Sequence, residues 1–143
     1  MLSNKCKYGI RAVLYISLAG EKKKYIGGQQ VASYLNMPPA FTIKILQELA
    51  KHQIISSVKG PGGGFYLSKE NQQKTLIDVV EVIDGLDFFN RCGLGLSECS
   101  ETKPCPIHDT FKVCRTMLEE LFSKTTLASL NEDLFHQKLR IVT

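Results

Sequence analysis

Three cysteines spaced Cys92-x6-Cys99-x5-Cys105, with His108 three residues beyond the last, are the side chains of this sequence best equipped for chemistry. Thiolate and imidazole are ligands for zinc and for iron. Zinc sites usually draw on cysteines two to four residues apart, and no such pair occurs here. A loop containing Gly93, Gly95, Pro104 and Pro106 can instead wrap an object of several irons, and thiolates are the ligands that iron–sulfur clusters take. Spacing alone ranks a cluster first and leaves zinc, or redox thiols without metal, open. Two further cysteines, Cys6 and Cys114, stand apart, and Cys114 falls on an apolar stripe where packing in a dimer interface is its expected role. Structural disulfides are not expected, because a cytosolic chain keeps its thiols reduced.

Enzyme chemistry finds little else to work with. The histidines are His52, His108 and His136, and neither a Ser/His/Asp order, nor paired carboxylates, nor a nucleotide fingerprint accompanies them. An enzyme is not expected.

The elements that must position the cysteines fall into two halves of opposite charge. Residues 1–75 carry eleven Lys/Arg against three Asp/Glu, a net of +8, whereas residues 76–143 carry seven against eleven, a net of −4. A basic half suits a polyanion, and the acidic half is free for sensing or dimerisation. A solvated basic face would give the same charge count. The apolar run from Val13 to Ala19 is broken by Ser17 and is too short to span a bilayer, so a soluble, cytoplasmic protein without membrane contact is expected.

In the basic half, Ser3 can cap a first helix that ends at Gly20, lined by Ile10, Val13, Leu14, Ile16 and Leu18. The run Glu21 to Lys24 has nothing apolar interleaved and reads as a solvated loop. A short helix from Gln29 to Leu35 is broken at Asn36-Met37-Pro38-Pro39, and a second helix runs from about Ala40 to His52. Two helices about a tight turn make a helix-turn-helix, whose second helix enters the DNA major groove. On a helical wheel, Phe41, Ile45, Leu46 and Leu49 share one face, and Ala40, Lys44, Gln47 and Lys51 the other, with Ile43 at its edge. An ordinary amphipathic surface helix would show the same division.

The segment after this helix is more specific. Ile54 to Lys59 reads as a strand, Gly60-Pro61-Gly62-Gly63-Gly64 as a turn, and Phe65 to Leu67 as the return strand. A hairpin directly after a helix-turn-helix is a wing, and Lys59 at its base can reach a phosphate or the narrow minor groove. The glycines could cradle a nucleotide phosphate, but no GKS or GKT ending comes after them. Thr75 then caps a helix with Leu76, Val79, Val80 and Ile83 inward and Gly85 at its end. Residues 87–106 form the cysteine loop. A helix over about 107–123 bears the stripe Phe111, Cys114, Met117, Leu118, Leu121 and Phe122, whose expected partner is the same helix of a second subunit. The expected fold is mainly α with a small β-hairpin. A winged helix-turn-helix DNA-binding domain occupies 1–75, and the cluster loop, dimerisation helix and C-terminal tail occupy 76–143.

With Lys7-Tyr8, the wing sequence Val58-Lys59-Gly60-Pro61-Gly62-Gly63-Gly64-Phe65 and the Cys92, Cys99, Cys105, His108 set in place, the chain resembles the IscR/NsrR family of iron–sulfur winged-helix regulators over nearly its whole length. The resemblance implies a homodimer with a long crossing helix and one cluster per subunit, the 2Fe-2S type ranked ahead of 4Fe-4S. It also implies a repressor, with activation as a possible second role, of genes responding to iron–sulfur status, nitric oxide, iron or redox stress, acting on a double-stranded DNA operator. In one member of the family the fourth ligand is a histidine placed as His108 is, while others use a carboxylate from the partner's first helix. That position is Lys7 here, which cannot serve, so Cys6 beside it is the alternative. The DNA-facing set expected is Lys5, Lys7, Tyr8 and Arg11 on the first helix, Gln29 on the second, Ala40, Ile43, Lys44, Gln47 and Lys51 on the third, and Ser57, Lys59, Gly60, Gly62 and Gly63 in the wing. Ile43 and Lys44 stand where family members carry acidic or amide side chains, which points to a different operator sequence.

Overall fold

A computed structural model describes residues 1–137, with side chains described to residue 133; the end of the expected C-terminal tail, 138–143, lies outside the described residues. The elements run α1 (Asn4–Ala19), α2 (Gly28–Tyr34), α3 (Pro39–Lys51), β1 (Ser56–Val58), β2 (Gly64–Tyr66), α4 (Lys69–Gln72), α5 (Leu76–Ile83), a 3-10 turn (Asp87–Phe89), α6 (His108–Lys124) and α7 (Leu127–Gln137). The fold is mainly helical with one antiparallel hairpin, as the sequence predicts.

Local signals explain most of the ends. Ser3 accepts a hydrogen bond from the Cys6 backbone N–H, satisfying one of the free donors at the start of α1. Pro39 stands at the first position of α3, where its missing N–H costs nothing. Thr75 and Asp78 close a capping box on α5, and Gly85 at φ +75° lies just past its end.

The main core joins Ala12, Val13 and Ile16 of α1 to Val31, Ile45, Leu46, Leu49, Ile55 and Val79. On α3 the buried residue before Ile45 is Thr42 rather than Phe41. Thr42 can be buried because its hydroxyl donates to the Pro38 carbonyl at 3.0 Å. Phe41 turns outward against the Tyr8 ring, edge to face at 6.0 Å.

The wing strands are shorter than expected, since Ile54 and Ile55 enter the core before the pairing begins. The register sets Ser56 opposite Tyr66 and Val58 opposite Gly64. A third segment, which no sequence signal marks, anchors the hairpin: Ile26 and Phe65 exchange backbone hydrogen bonds at 2.8 and 2.9 Å. Gly64 makes this possible, because a Cβ there would stand 2.6 Å from the Ile26 carbonyl oxygen, and its φ is +148°.

Two more elements go beyond those the sequence predicts. Helix α4 is organised by the buried amide of Asn71, which donates to the Gln53 carbonyl and accepts from Ser56 and from the Ser68 backbone and hydroxyl. The expected tail contains α7, whose Leu127 is buried in the main core beside α1. Backbone bonds from Leu76 N–H to Thr125 and from Leu127 N–H to Lys74 fasten the start of α7 to the start of α5.

Helix α6 has no fully buried residue, and its stripe divides. Leu118 and Phe122 pack within the chain on a second cluster formed by Cys6, Val80 and Phe89, so part of the stripe has a partner without a second subunit. Cys114 and Met117 remain exposed, as do Leu121 and the neighbouring Val113; Met117 is 67% exposed.

Candidate metal centre and nucleic-acid interface

The loop between Asp87 and His108 is a series of tight turns closed on the first turn of α6. Gly95 N–H bonds to the Cys92 carbonyl, Cys99 N–H to Leu96, Ser100 and Lys103 to each other, and His108 N–H to Cys105. Gly93 lets the loop lie flat on the helix, since a Cβ there would meet the Phe111 ring at 2.9 Å. Leu94 and Leu96 stay exposed on the outer side.

These turns bring the predicted ligands together. The sulfurs of Cys92, Cys99 and Cys105 all lie within 4.8 Å of one another, with Cys92 and Cys105 3.6 Å apart and all three thiols free. His108 Nδ1 lies 3.2 Å from the Cys99 sulfur. His108 Nε2 is buried without a hydrogen-bond partner among the described residues.

The surroundings differentiate the thiols. Backbone N–H groups of Leu96 and Leu94 aimed at Cys92, with smaller help from the Cys105 and Cys99 thiols, draw it down to about 7. At Cys99 the Cys105 N–H at 3.4 Å pulls downward, yet burial and the neighbouring Cys105 and Cys92 sulfurs prevail and leave it raised. Three thiols so close cannot all ionise without a compensating positive charge, which a bound metal supplies. Donor type, spacing and the His108 Nδ1 beside the Cys99 sulfur together fit a metal or an iron–sulfur cluster.

Cys6 is not part of this group. It is 0% exposed, enclosed by Val80 and Phe89, and burial first, then the Asp84 carboxylate, push its thiol up to about 12. A thiol so placed lacks the exposure that the alternative fourth-ligand role needs.

The other expected residues lie around α3 and the wing. Ala40, Lys44, Gln47 and Lys51 are exposed on α3, and Gln29 at the start of α2. Between α3 and the wing a cleft of about 490 Å³ is lined by Gln47, Lys51, Ser57 and Lys59, with Val58 and Phe65 at its apolar floor. Gly60 and Gly62 take φ of +93° and +76°, and a Cβ on Gly63 would strike the Val58 carbonyl, so the wing tip depends on glycine at each. On α1, Lys7 is exposed, whereas Lys5 is engaged by Glu48 at 2.6 Å and Arg11 lies over the Tyr8 ring at 4.6 Å. Ile43 is half-buried, seated where Gly28 has no side chain.

Residues outside the expected set also border the metal centre. Arg115 lies over Phe111, donates to the Arg91 carbonyl and lines a small cavity with Asn90, Cys92, Cys99 and His108. Glu101 lies 3.6 Å from His108 Nε2 and is gripped by Lys112 at 2.6 Å; Lys112 and His108 hold its carboxyl below the ordinary range. Only the spacing of His108 and Lys112, one helical turn apart, hints at this in the sequence.

A helix-turn-helix with a β-wing and a basic first half defines the class: a DNA-binding winged-helix transcription regulator. Residues 2–133 match the family Rrf2, described as iron-dependent transcriptional regulators, and the chain belongs to it. It is 29% identical to a putative HTH-type transcriptional regulator of Aquifex aeolicus over 132 residues, covering 91% of this chain and 90% of that one. It is 25% identical to the HTH-type transcriptional regulator IscR of Sodalis glossinidius, covering 93% and 81%. Among solved structures, the fold is shared with CymR, the global cysteine regulator of B. subtilis, at a TM-score of 0.74 and 19% identity, covering 93% of this chain and 97% of that one. It is also shared with T. potens IscR at 0.72 and 19% identity, covering 98% and 92%. This is a family of transcription regulators and not of enzymes. Among the described residues no helix is long and apolar enough to cross a membrane.

Proposed function

We propose that the chain acts in the cytoplasm as a homodimeric repressor, with a second role as activator open to it, whose grip on a two-fold DNA operator is set by an iron–sulfur cluster in each subunit. Cys92, Cys99, Cys105 and His108 would hold the cluster. The observation that carries this reading is the convergence of three thiols within 4.8 Å of one another, with an imidazole nitrogen 3.2 Å from one of them. When bound, such a cluster supplies one-electron redox chemistry and reactivity toward oxidants and nitric oxide. The protein's own part is to wrap the loop and to couple its order to the helices that read DNA. The loop rests on the first turn of α6, and α6 packs through Leu118 and Phe122 on α5 and the start of α1, so ordering the loop bears directly on the DNA-reading half.

Dimerisation is supported by the exposed Val113, Met117 and Leu121, an apolar strip on the outer side of α6, away from Leu118 and Phe122. DNA contact is supported by Gln47 and Lys51, which line the same cleft as Lys59, and by Lys44, exposed on the same helix. The cluster shifts operator affinity only by its different stability in two arrangements of the dimer, about 1–3 kcal/mol in typical couplings.

A second reading has its own support. Four ligands around one tetrahedral zinc with Zn–S of about 2.3 Å set sulfurs about 3.8 Å apart, close to the 3.6 Å between Cys92 and Cys105. Iron, sulfide and zinc analysis of anaerobically purified protein separates the two. A brown protein with matched iron and sulfide, whose operator affinity changes when the cluster is bleached, supports the first. A colourless protein with stoichiometric zinc replaces it with the second.

A further inference from the structure

The buried Nε2 of His108 has no hydrogen-bond partner among the described residues, and the acceptor facing it is the Glu101 carboxylate, 3.6 Å away. That carboxylate does not swing freely, because Lys112 holds the same Oε1 oxygen at 2.6 Å. Lys112 is four residues beyond His108, so both project from one face of α6 and Glu101 bridges them from the loop.

Two tautomers of a neutral imidazole can be set against this arrangement. With the proton on Nδ1, the ring would donate to the Cys99 sulfur and aim the Nε2 lone pair at a carboxylate, acceptor against acceptor in a site only 10% exposed at the histidine side chain. With the proton on Nε2, the N–H points at Glu101 and the Nδ1 lone pair is turned to the Cys99 side of the thiol group. Closing from 3.6 Å to an ordinary charge-assisted hydrogen bond takes a shift of roughly 0.7 Å, which a surface glutamate 70% exposed can make.

We propose that Glu101, anchored by Lys112, is a positioning residue that fixes the His108 tautomer and so makes Nδ1 the metal-facing nitrogen. This rests on the metal reading above but not on which metal is bound. Ligating histidines are oriented by a carboxylate or carbonyl on their second nitrogen, and losing that partner typically costs 10–100-fold in metal affinity.

The test uses the full chain, reconstituted anaerobically with iron and sulfide, and again with zinc alone. Glu101→Ala is expected to hold its metal 10–100-fold less tightly than wild type against a competing chelator, with Glu101→Gln, which keeps a neutral acceptor, in between. In the iron-loaded, reduced protein carrying histidine labelled with ¹⁵N only at Nδ1, pulsed electron paramagnetic resonance is expected to show the strong coupling of a directly bound nitrogen. The metal-free variants should melt at the wild-type temperature, since Glu101 lies outside the core. Unchanged retention in Glu101→Ala, or strong coupling through Nε2, overturns the assignment while the metal reading stands. A wild-type chain that takes up zinc but no iron ends the cluster reading and leaves the zinc competition to decide Glu101. A chain that binds neither metal overturns both.

Discussion

The ammonium of Lys5 stands 2.6 Å from the carboxylate of Glu48, joining the first turn of α1 to α3, the second helix of the helix-turn-helix. The pair is partly open to solvent, so its contribution to folding is small, about 1 kcal/mol or less. On the proposed function its consequence for DNA binding would be larger, because the pair would withdraw one lysine of the basic half from those that displace counterions. Lys59→Ala is expected to weaken binding on every operator and to lower the slope of log affinity against log salt by about one. Lys5→Met should leave that slope unchanged. Lys44→Ala should instead relax preference at one operator position, by about 1–3 kcal/mol if it makes a good base contact. Equal slopes lost for Lys5 and Lys59, across matched operator variants, would remove the distinction.

Thiol chemistry in the metal-free protein should be graded. Cys92, drawn to about 7, is roughly half thiolate at neutral pH, and its alkylation rate should rise steeply through that value and level off above it. Cys6, pushed up to about 12 and buried, should stay unmodified until the chain unfolds. Time-resolved mass spectrometry with iodoacetamide between pH 6 and 9 reads both. Native-state labelling of Cys6 at the Cys92 rate contradicts the burial argument.

Cys92→Ala, Cys99→Ala and Cys105→Ala should each abolish the metal site yet leave a cooperatively melting dimer. None of the three belongs to either core cluster, and the loop is held by its own turns. The change should appear as operator affinity that no longer responds to metal loading. Unfolding of any one variant without metal, seen by circular dichroism, would make the loop structural rather than sensory.

Met117→Glu places a charge in the exposed strip of α6 and should shift the protein from dimer to monomer at micromolar concentration in light scattering. Its metal content should be unchanged, as Met117 points away from the second core cluster. Operator affinity should then fall by orders of magnitude, because one recognition helix reads too few base pairs. A Met117→Glu dimer as tight as wild type places the interface elsewhere.

Legibility in the sequence tracks the strength of local rules. Ser3, Pro39, Thr75 and Gly85 mark helix ends because their capping chemistry is contained within a few residues. Helix α3 is legible as an element but not in its burial: a wheel ranks Phe41 above Thr42 by hydrophobicity, while one hydrogen bond to Pro38 reverses the order. The Ile26 bridge and the bonds of Asn71 to Ser56 and Gln53 are hidden because they join residues 39, 15 and 18 apart, beyond any periodic signal, whereas the bonds of Asn71 to Ser68 are local. Helix α7 lies in a stretch whose meaning depends on Leu127 finding α1. The cysteine spacing announces a thiol group that the fold does bring together, whereas Glu101 is silent, being one carboxylate among many until the turn at Ser100 and Lys103 brings it to His108.

The seat of Leu127 in the core beside α1 also governs the order in which the protein comes into being. Synthesis runs from the basic half toward α7, and the main core lacks its Leu127 contact until that residue has emerged. By then the cysteine loop and α6 have already been made. A product cut short anywhere before α7 therefore lacks one of the buried residues of the main core, and the half that carries the helix-turn-helix is expected to be less stable alone than with the cysteine loop, α6 and α7 attached. If the proposed function holds, a truncated chain without the cysteine loop would also lack the Leu127 contact, so loss of regulation and loss of stability would be expected together.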